Sequence, residues 1–111
     1  MNQDIEFRNA TDSDGNPTGG TVMGTGITIT WQDGPLGRGK DRKEPTGAFV
    51  EGVLKAAKVR LEFYQESKYP CQENSEALMH VNEAIRILNE RTTRREKEGV
   101  EGTHKTHATV R

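Results

Sequence analysis

At 111 residues, with 31% apolar and 30% charged side chains, the chain has room for one domain with a thin core. Sixteen Lys and Arg nearly cancel seventeen Asp and Glu, which argues against a duplex nucleic-acid binder that gains affinity by neutralising many phosphates. The single cysteine, Cys71, excludes an internal disulfide framework, and no long apolar run or basic leader points to membrane spanning or ordinary secretion. A soluble, cytosolic protein is expected. The thin core also predicts an oligomer, since association buries further apolar surface at about 25 cal/mol per Å².

The first forty residues are rich in Gly and Thr and carry three strand signals. Ile5-Glu6-Phe7 and Gly19-Gly20-Thr21-Val22-Met23 are short. Ile27-Thr28-Ile29-Thr30-Trp31 is the clearest, with period-two alternation and β-branching that suit a half-buried strand. The stretch from Ala10 to Gly20 reads as a turn or loop, because Asp, Asn, Pro and Gly suit turn backbone angles and local hydrogen bonds. Within it, Asp12-Ser13-Asp14-Gly15-Asn16 begins like a calcium loop. Pro17 stands where the sixth-position Gly belongs and Met23 where the twelfth-position Glu belongs, so a plain turn is predicted.

Gly34-Pro35-Leu36-Gly37-Arg38-Gly39-Lys40 has two readings. It is a basic flexible linker, or it is an anion loop in which glycines bring backbone N–H groups close and Arg38 or Lys40 supplies charge. The Walker pattern is absent, and several symmetry-related copies would be needed to make a strong site.

From Pro45 the period becomes helical. Val50, Leu54, Ala57, Leu61 and Tyr64 are spaced as one helix seam, with Thr46 as the expected N-cap. Pro70 disfavours helix at Tyr69, so the first helix ends within Glu66–Cys71. A second helix is predicted from Asn74-Ser75, with Leu78, Val81, Ile85 and Leu88 as its seam and Gly99 as its stop. The fold class is α+β: a small N-terminal antiparallel β-sheet (1–43), then a long antiparallel two-helix hairpin (44–100), then a tail (101–111).

The second seam runs on into Thr92 and Arg95, and Arg91 lies one turn before Arg95. Two readings stay open for this cluster. Arg91, Arg94 and Arg95 complement the carbonyl end of the helix as solvated charge, or Arg91 and Arg95 form a pair of planar forks that grip a phosphate. Helix length adds a constraint: Asn74 and Arg91 are separated by about 25 Å at 1.5 Å per residue. Tyr64, in contrast, lies across the hairpin turn from Asn74. A ligand held by all four residues therefore needs two antiparallel chains.

Catalytic and metal signals are weak. Cys71 and His80 are nine residues apart with no orienting partner, and no paired carboxylates stand out. His104 and His107 have no third ligand nearby, so no metal site and no cofactor is predicted.

Tyr69 to His104 resembles the hairpin domain shared by two families of phage counter-defence proteins, the anti-CBASS family and the Thoeris anti-defence family. The likeness lies in the Pro at the hairpin turn, then Ser75, Ala77-Leu78, Glu83-Ala84 and Leu88-Asn89, then the arginines and Gly-Val-Glu-Gly-Thr-His. The strand-forming first half and long first helix fit the Thoeris family better. It covers roughly the last two-thirds of the chain, the first forty residues matching only in general character.

The resemblance implies a non-enzymatic sponge acting in the cytoplasm of the infected host cell. Such proteins bind cyclic ADP-ribose isomers, including glycocyclic ADP-ribose, and withhold them from their effectors without cleavage. Carried over by motif, the pocket falls on Tyr64, Asn74, Arg91 and Arg95, with Tyr64 where a Phe occurs in the family. It also implies dimers assembling to a hexamer, and a second site for cyclic trinucleotides, with cyclic dinucleotides as further ligands. Gly37, Arg38 and Lys40 are the candidates for that second site. The competing readings are a helical adaptor that uses its seam to bind a protein partner and a small hydrolase acting on such nucleotides.

Overall fold

The first two strands extend beyond their sequence signals, and the third coincides with its own. A computed structural model describes residues 4–99 and 103, and it contains β1 (Ile5–Thr11), β2 (Pro17–Gly24) and β3 (Ile27–Trp31) as an antiparallel sheet in the order β1-β2-β3. The predicted loop from Ala10 to Gly20 contracts to 12–16. Asp12 closes it locally: its Oδ1 accepts the backbone N–H groups of Asp14 and Asn16, each at 2.9 Å. The strands can then pair almost to the turn, from Thr11 opposite Pro17 onwards. Gly20 pairs with Asn9 and Trp31 within β2, and glycine is required there because a Cβ would lie 2.3 Å from the Arg8 carbonyl oxygen, beside the register shift between Asn9 and Thr11. Phe7, Val22 and Ile29 form one cross-strand row, and Val22 and Ile29 are half-buried while Phe7 on the edge strand is exposed.

Thr46 does not cap a helix. Its N–H and that of Gly47 both donate to Gln32 Oε1, at 2.8 and 3.2 Å. Ala48 then bridges Trp31 in parallel, donating to the Thr30 carbonyl at 2.7 Å and accepting from the Gln32 N–H at 2.9 Å. The backbone of 46–48 is committed to the β3 edge, which delays the first helix to Val50. Gly47 is required by this approach, since a Cβ there would lie 2.5 Å from the Trp31 carbonyl.

Helix α1 runs Val50–Glu66 and α2 runs Gln72–Lys97. Val50–Lys97 is one compact unit, and the described residues up to Phe49 and from Glu98 belong to another. Residues 67–71 make the hairpin turn. Ser67 accepts the Tyr69 N–H on its hydroxyl, and that hydroxyl donates to the Tyr64 carbonyl at the end of α1. Cys71 caps α2, two residues earlier than the sequence suggested: its carbonyl accepts the Ser75 N–H and its Sγ accepts the Asn74 N–H at 3.4 Å. Gln65 holds Cys71 from α1, accepting its N–H at 3.0 Å and donating to its carbonyl at 3.1 Å.

That clasp sets the rotation of α1. The half-buried positions are Glu51, Val53, Leu54, Lys58, Leu61, Glu62 and Gln65, whereas Val50, Ala57 and Tyr64 of the predicted seam are exposed. Apolar residues lie on more than one stripe of α1, so their period did not single out a face. Lys58 is among the half-buried positions, as a long aliphatic stem allows. On α2 the predicted seam of Leu78, Val81, Ile85 and Leu88 is observed, and it extends at both ends to Asn74, Thr92 and Arg95. Ile85 is the buried apolar residue of the hairpin and Leu36 that of the N-terminal unit among the described residues.

Two substitutions probe these contacts. Gly47→Ala is expected to cost about 1–3 kcal/mol through overpacking, read as a fall of several degrees in Tm. Cys71→Ser, which puts a stronger acceptor at the α2 cap, is expected to raise stability by about 0.5 kcal/mol in a denaturant titration. A loss of stability would show that the sulfur packs rather than caps.

Candidate ligand-binding site

The sequence-predicted residues occupy both ends of α2. Tyr64 is in the last turn of α1 and Asn74 in the first turn of α2, so the hairpin turn brings them to one end. Asn74 is half-buried, its N–H held by Cys71. Arg91 and Arg95 lie seventeen and twenty-one residues further along α2, about 25 and 31 Å away at helical rise. A single hairpin therefore does not unite the four.

The arginines differ in setting. Arg95 continues the seam and is only 7% exposed. Arg94 is half-buried, and Arg91 is exposed. Burial in this cluster therefore does not follow the seam spacing alone: Arg94, one residue before Arg95, keeps less water than Arg91, one turn before it. Both Arg94 and Arg95 already take part in polar or ring contacts within the chain, as burial of a guanidinium demands. Arg91 presents its fork to solvent one turn before Arg95.

The opposite face of α2 is devoted to surface charge. Arg86 donates to Glu83 and, at 2.8 Å, to Glu90 Oε2. The hydrogen bond from Arg86 holds the Glu83 carboxyl below its ordinary range and the Arg86 guanidinium correspondingly above its own.

At the other end, Tyr64 is 39% exposed and does not stand alone. Its ring centroid is 6.1 Å from that of Phe63, with the planes tilted by 53°. The Arg60 guanidinium carbon sits 5.0 Å from the Phe63 centroid and 4.9 Å from that of Tyr64. Sequence reasoning passed over Arg60 and Phe63, although a cation followed three and four residues later by aromatics on a helix was there to be read.

Gly37, Arg38 and Lys40 lie in a hydrogen-bonded turn. Leu36 anchors it by burial and accepts the Lys43 N–H at 2.7 Å. Gly39–Asp41 is a 3-10 turn in which the Asp41 and Arg42 N–H groups donate to the Arg38 and Gly39 carbonyls, and an Arg42 Nη1 donates to the Gly37 carbonyl. Those two N–H groups are spent inside the turn. The Arg38 and Lys40 side chains are exposed.

Among the described residues no group of three or more His, Cys, Asp or Glu side chains is assembled for a metal, and no helix is long and apolar enough to cross a membrane. His104 and His107 lie outside the described residues.

Two comparisons bear on this arrangement. The family model described as the Acb2/Tad1 hairpin domain matches residues 23–93. The match takes in β3, the glycine-rich turn, α1 and most of α2, further towards the N-terminus than the motifs alone suggested. Arg95 falls just beyond its end. The chain is also 36% identical over 77 residues to a protein named Thoeris anti-defense 1 from Bacillus phage SBSphiJ7. That stretch covers 69% of this chain and 51% of the phage protein, so the chain spans about half the length of the curated relative.

The difference in burial predicts a difference in stability. Arg95→Ala is expected to destabilise the fold by about 1–3 kcal/mol, because its partners lose a buried charge, whereas Arg91→Ala should stay within about 0.5 kcal/mol of the parent. Thermal unfolding of the two variants side by side checks this.

Proposed function

Because the chain belongs to the family of the Acb2/Tad1 hairpin domain, we propose that it is a phage anti-defence protein that binds and sequesters cyclic ADP-ribose-type immune signals, glycocyclic ADP-ribose among them, without cleaving them. The observation that carries this reading is the family match across the helical hairpin, with two arginines a turn apart where the α2 seam ends. In it, Tyr64 stacks on the adenine, Asn74 hydrogen-bonds a base or ribose edge, and Arg91 and Arg95 hold the pyrophosphate. Withholding the signal in the host cytoplasm keeps the Thoeris effector inactive.

Helix length requires two copies. An end carrying Tyr64 and Asn74 meets an end carrying Arg91 and Arg95 only if a second hairpin runs antiparallel to the first. Homo-oligomerisation is supported by the sparse core and by apolar side chains left exposed on both helices, with Val59 at 65%, Phe63 at 54% and Met79 at 59%. Dimers assembling to a hexamer are the proposed state. Three copies of the turn at Gly37, Arg38 and Lys40 then form the second site, for cyclic trinucleotides, through which CBASS signalling is also blocked.

The same exposed apolar residues favour an adaptor that binds a helix of another protein. Calorimetry with glycocyclic ADP-ribose, light scattering for mass, and chromatography of the ligand after heat release separate the readings. Sub-micromolar binding to an oligomer that returns intact ligand is expected. Absence of binding, or a chemically altered ligand, overturns the proposal. Arg91→Ala with Arg95→Ala should cost about 3 kcal/mol of affinity or more. Arg91→Ala alone is the cleaner probe, since Arg91 is exposed and its loss leaves the fold intact.

A further inference from the structure

Arg60 lies on the exposed side of α1 with its guanidinium over both Phe63 and Tyr64. Among the described residues no carboxylate pairs with it. Among those residues its charge is met by the two ring faces. The same three side chains thus present a pair of π surfaces and a permanently charged, planar, multi-donor group in one place, at the end of the hairpin that also carries Asn74. A nucleotide needs both: a face for the base and a cation for the phosphate that is covalently attached to it.

The contact also raises a conflict. The guanidinium sits over one face of the Tyr64 ring, and a ring face is what a base needs for stacking. Stacking of a base on an aromatic side chain is stronger than a solvent-exposed cation–π contact, and a charge-assisted bond to phosphate is stronger again. Exchange of one for the other is therefore downhill when the ligand carries both groups. A ligand that offers only the base must displace Arg60 without giving it a phosphate in return.

We infer that Arg60 is a ligand-binding residue that acts with Phe63 and Tyr64. The base takes the ring face that the guanidinium covers in the free protein, and the guanidinium swings to the edge of the rings and binds a phosphate oxygen. Phe63 widens the platform, and Arg60 confers preference for phosphorylated adenine ligands over the bare nucleoside. This rests on the sequestration reading above.

The test is calorimetry with glycocyclic ADP-ribose, and chemical-shift titration with adenosine, on the parent chain, Arg60→Gln, Arg60→Lys and Tyr64→Ala. Arg60→Gln should weaken glycocyclic ADP-ribose binding about 10-fold and make it less sensitive to salt, as expected for loss of one charged hydrogen bond. It should leave adenosine binding unchanged or tighter. Arg60→Lys, which keeps the charge and loses the fork, should fall between. Tyr64→Ala should weaken both ligands. If the parent chain binds neither ligand, the sequestration reading fails and this inference with it. If the parent binds and Arg60→Gln matches it in affinity and salt dependence, the inference alone fails. Circular dichroism verifies that the variants retain helix, and Arg60→Lys carries the test if Arg60→Gln does not.

Discussion

Asn74, Leu78, Val81, Ile85, Leu88, Thr92 and Arg95 follow one another along α2 at alternating steps of four and three, and each is at least half-buried. That line does the packing of the hairpin in its middle and turns polar at both ends. At the first end the amide of Asn74 stands beside the cap provided by Cys71. At the second, the Thr92 hydroxyl satisfies itself on the Leu88 carbonyl, leaving Arg95 as the last member, a guanidinium where an apolar side chain would otherwise continue the stripe. A rigid helix of this length holds the two polar ends about 31 Å apart. The need for a second copy to unite Tyr64 and Asn74 with Arg91 and Arg95 descends from that separation.

The clasp between Gln65 and Cys71 has equal weight for α1. Two hydrogen bonds from one side-chain amide fix the register of the turn, and the face that bears Gln65, Leu61, Lys58 and Leu54 is thereby the one that packs. Tyr64 is rotated off the seam as a result. A tyrosine buried in the seam would serve the core, whereas one on the exposed flank beside Phe63 and Arg60 is free to meet a ligand or a second hairpin.

A chain that buries so few apolar side chains leaves its stability distributed over local devices: the Asp12 turn, the Gln32 contacts with 46–47, the glycine approach at Gly47 and the sulfur cap of Cys71. Each is worth about 1 kcal/mol. Such a protein gains from association, because apolar surface exposed on both helices contributes once a like surface covers it.

The pattern of the amino acids determined a good deal without any coordinates: three strands followed by a two-helix hairpin, the α2 seam, the turn at Pro70 and the continuation of the seam into arginine. These rest on local periodicity and on turn chemistry, which are properties of neighbouring residues. The family resemblance, carried by motifs in the second helix, was legible for the same reason. Three matters were decided by tertiary structure. The start of α1 at Val50 depends on Gln32, fourteen residues before Thr46, drawing 46–48 to the sheet edge. The packed face of α1 depends on a hydrogen-bonded clasp across the turn, because its apolar residues occupy more than one stripe. The unequal burial of Arg91, Arg94 and Arg95 depends on which surfaces the packed helices leave open. Spacing places a side chain on a helix, but only packing determines how much water it keeps.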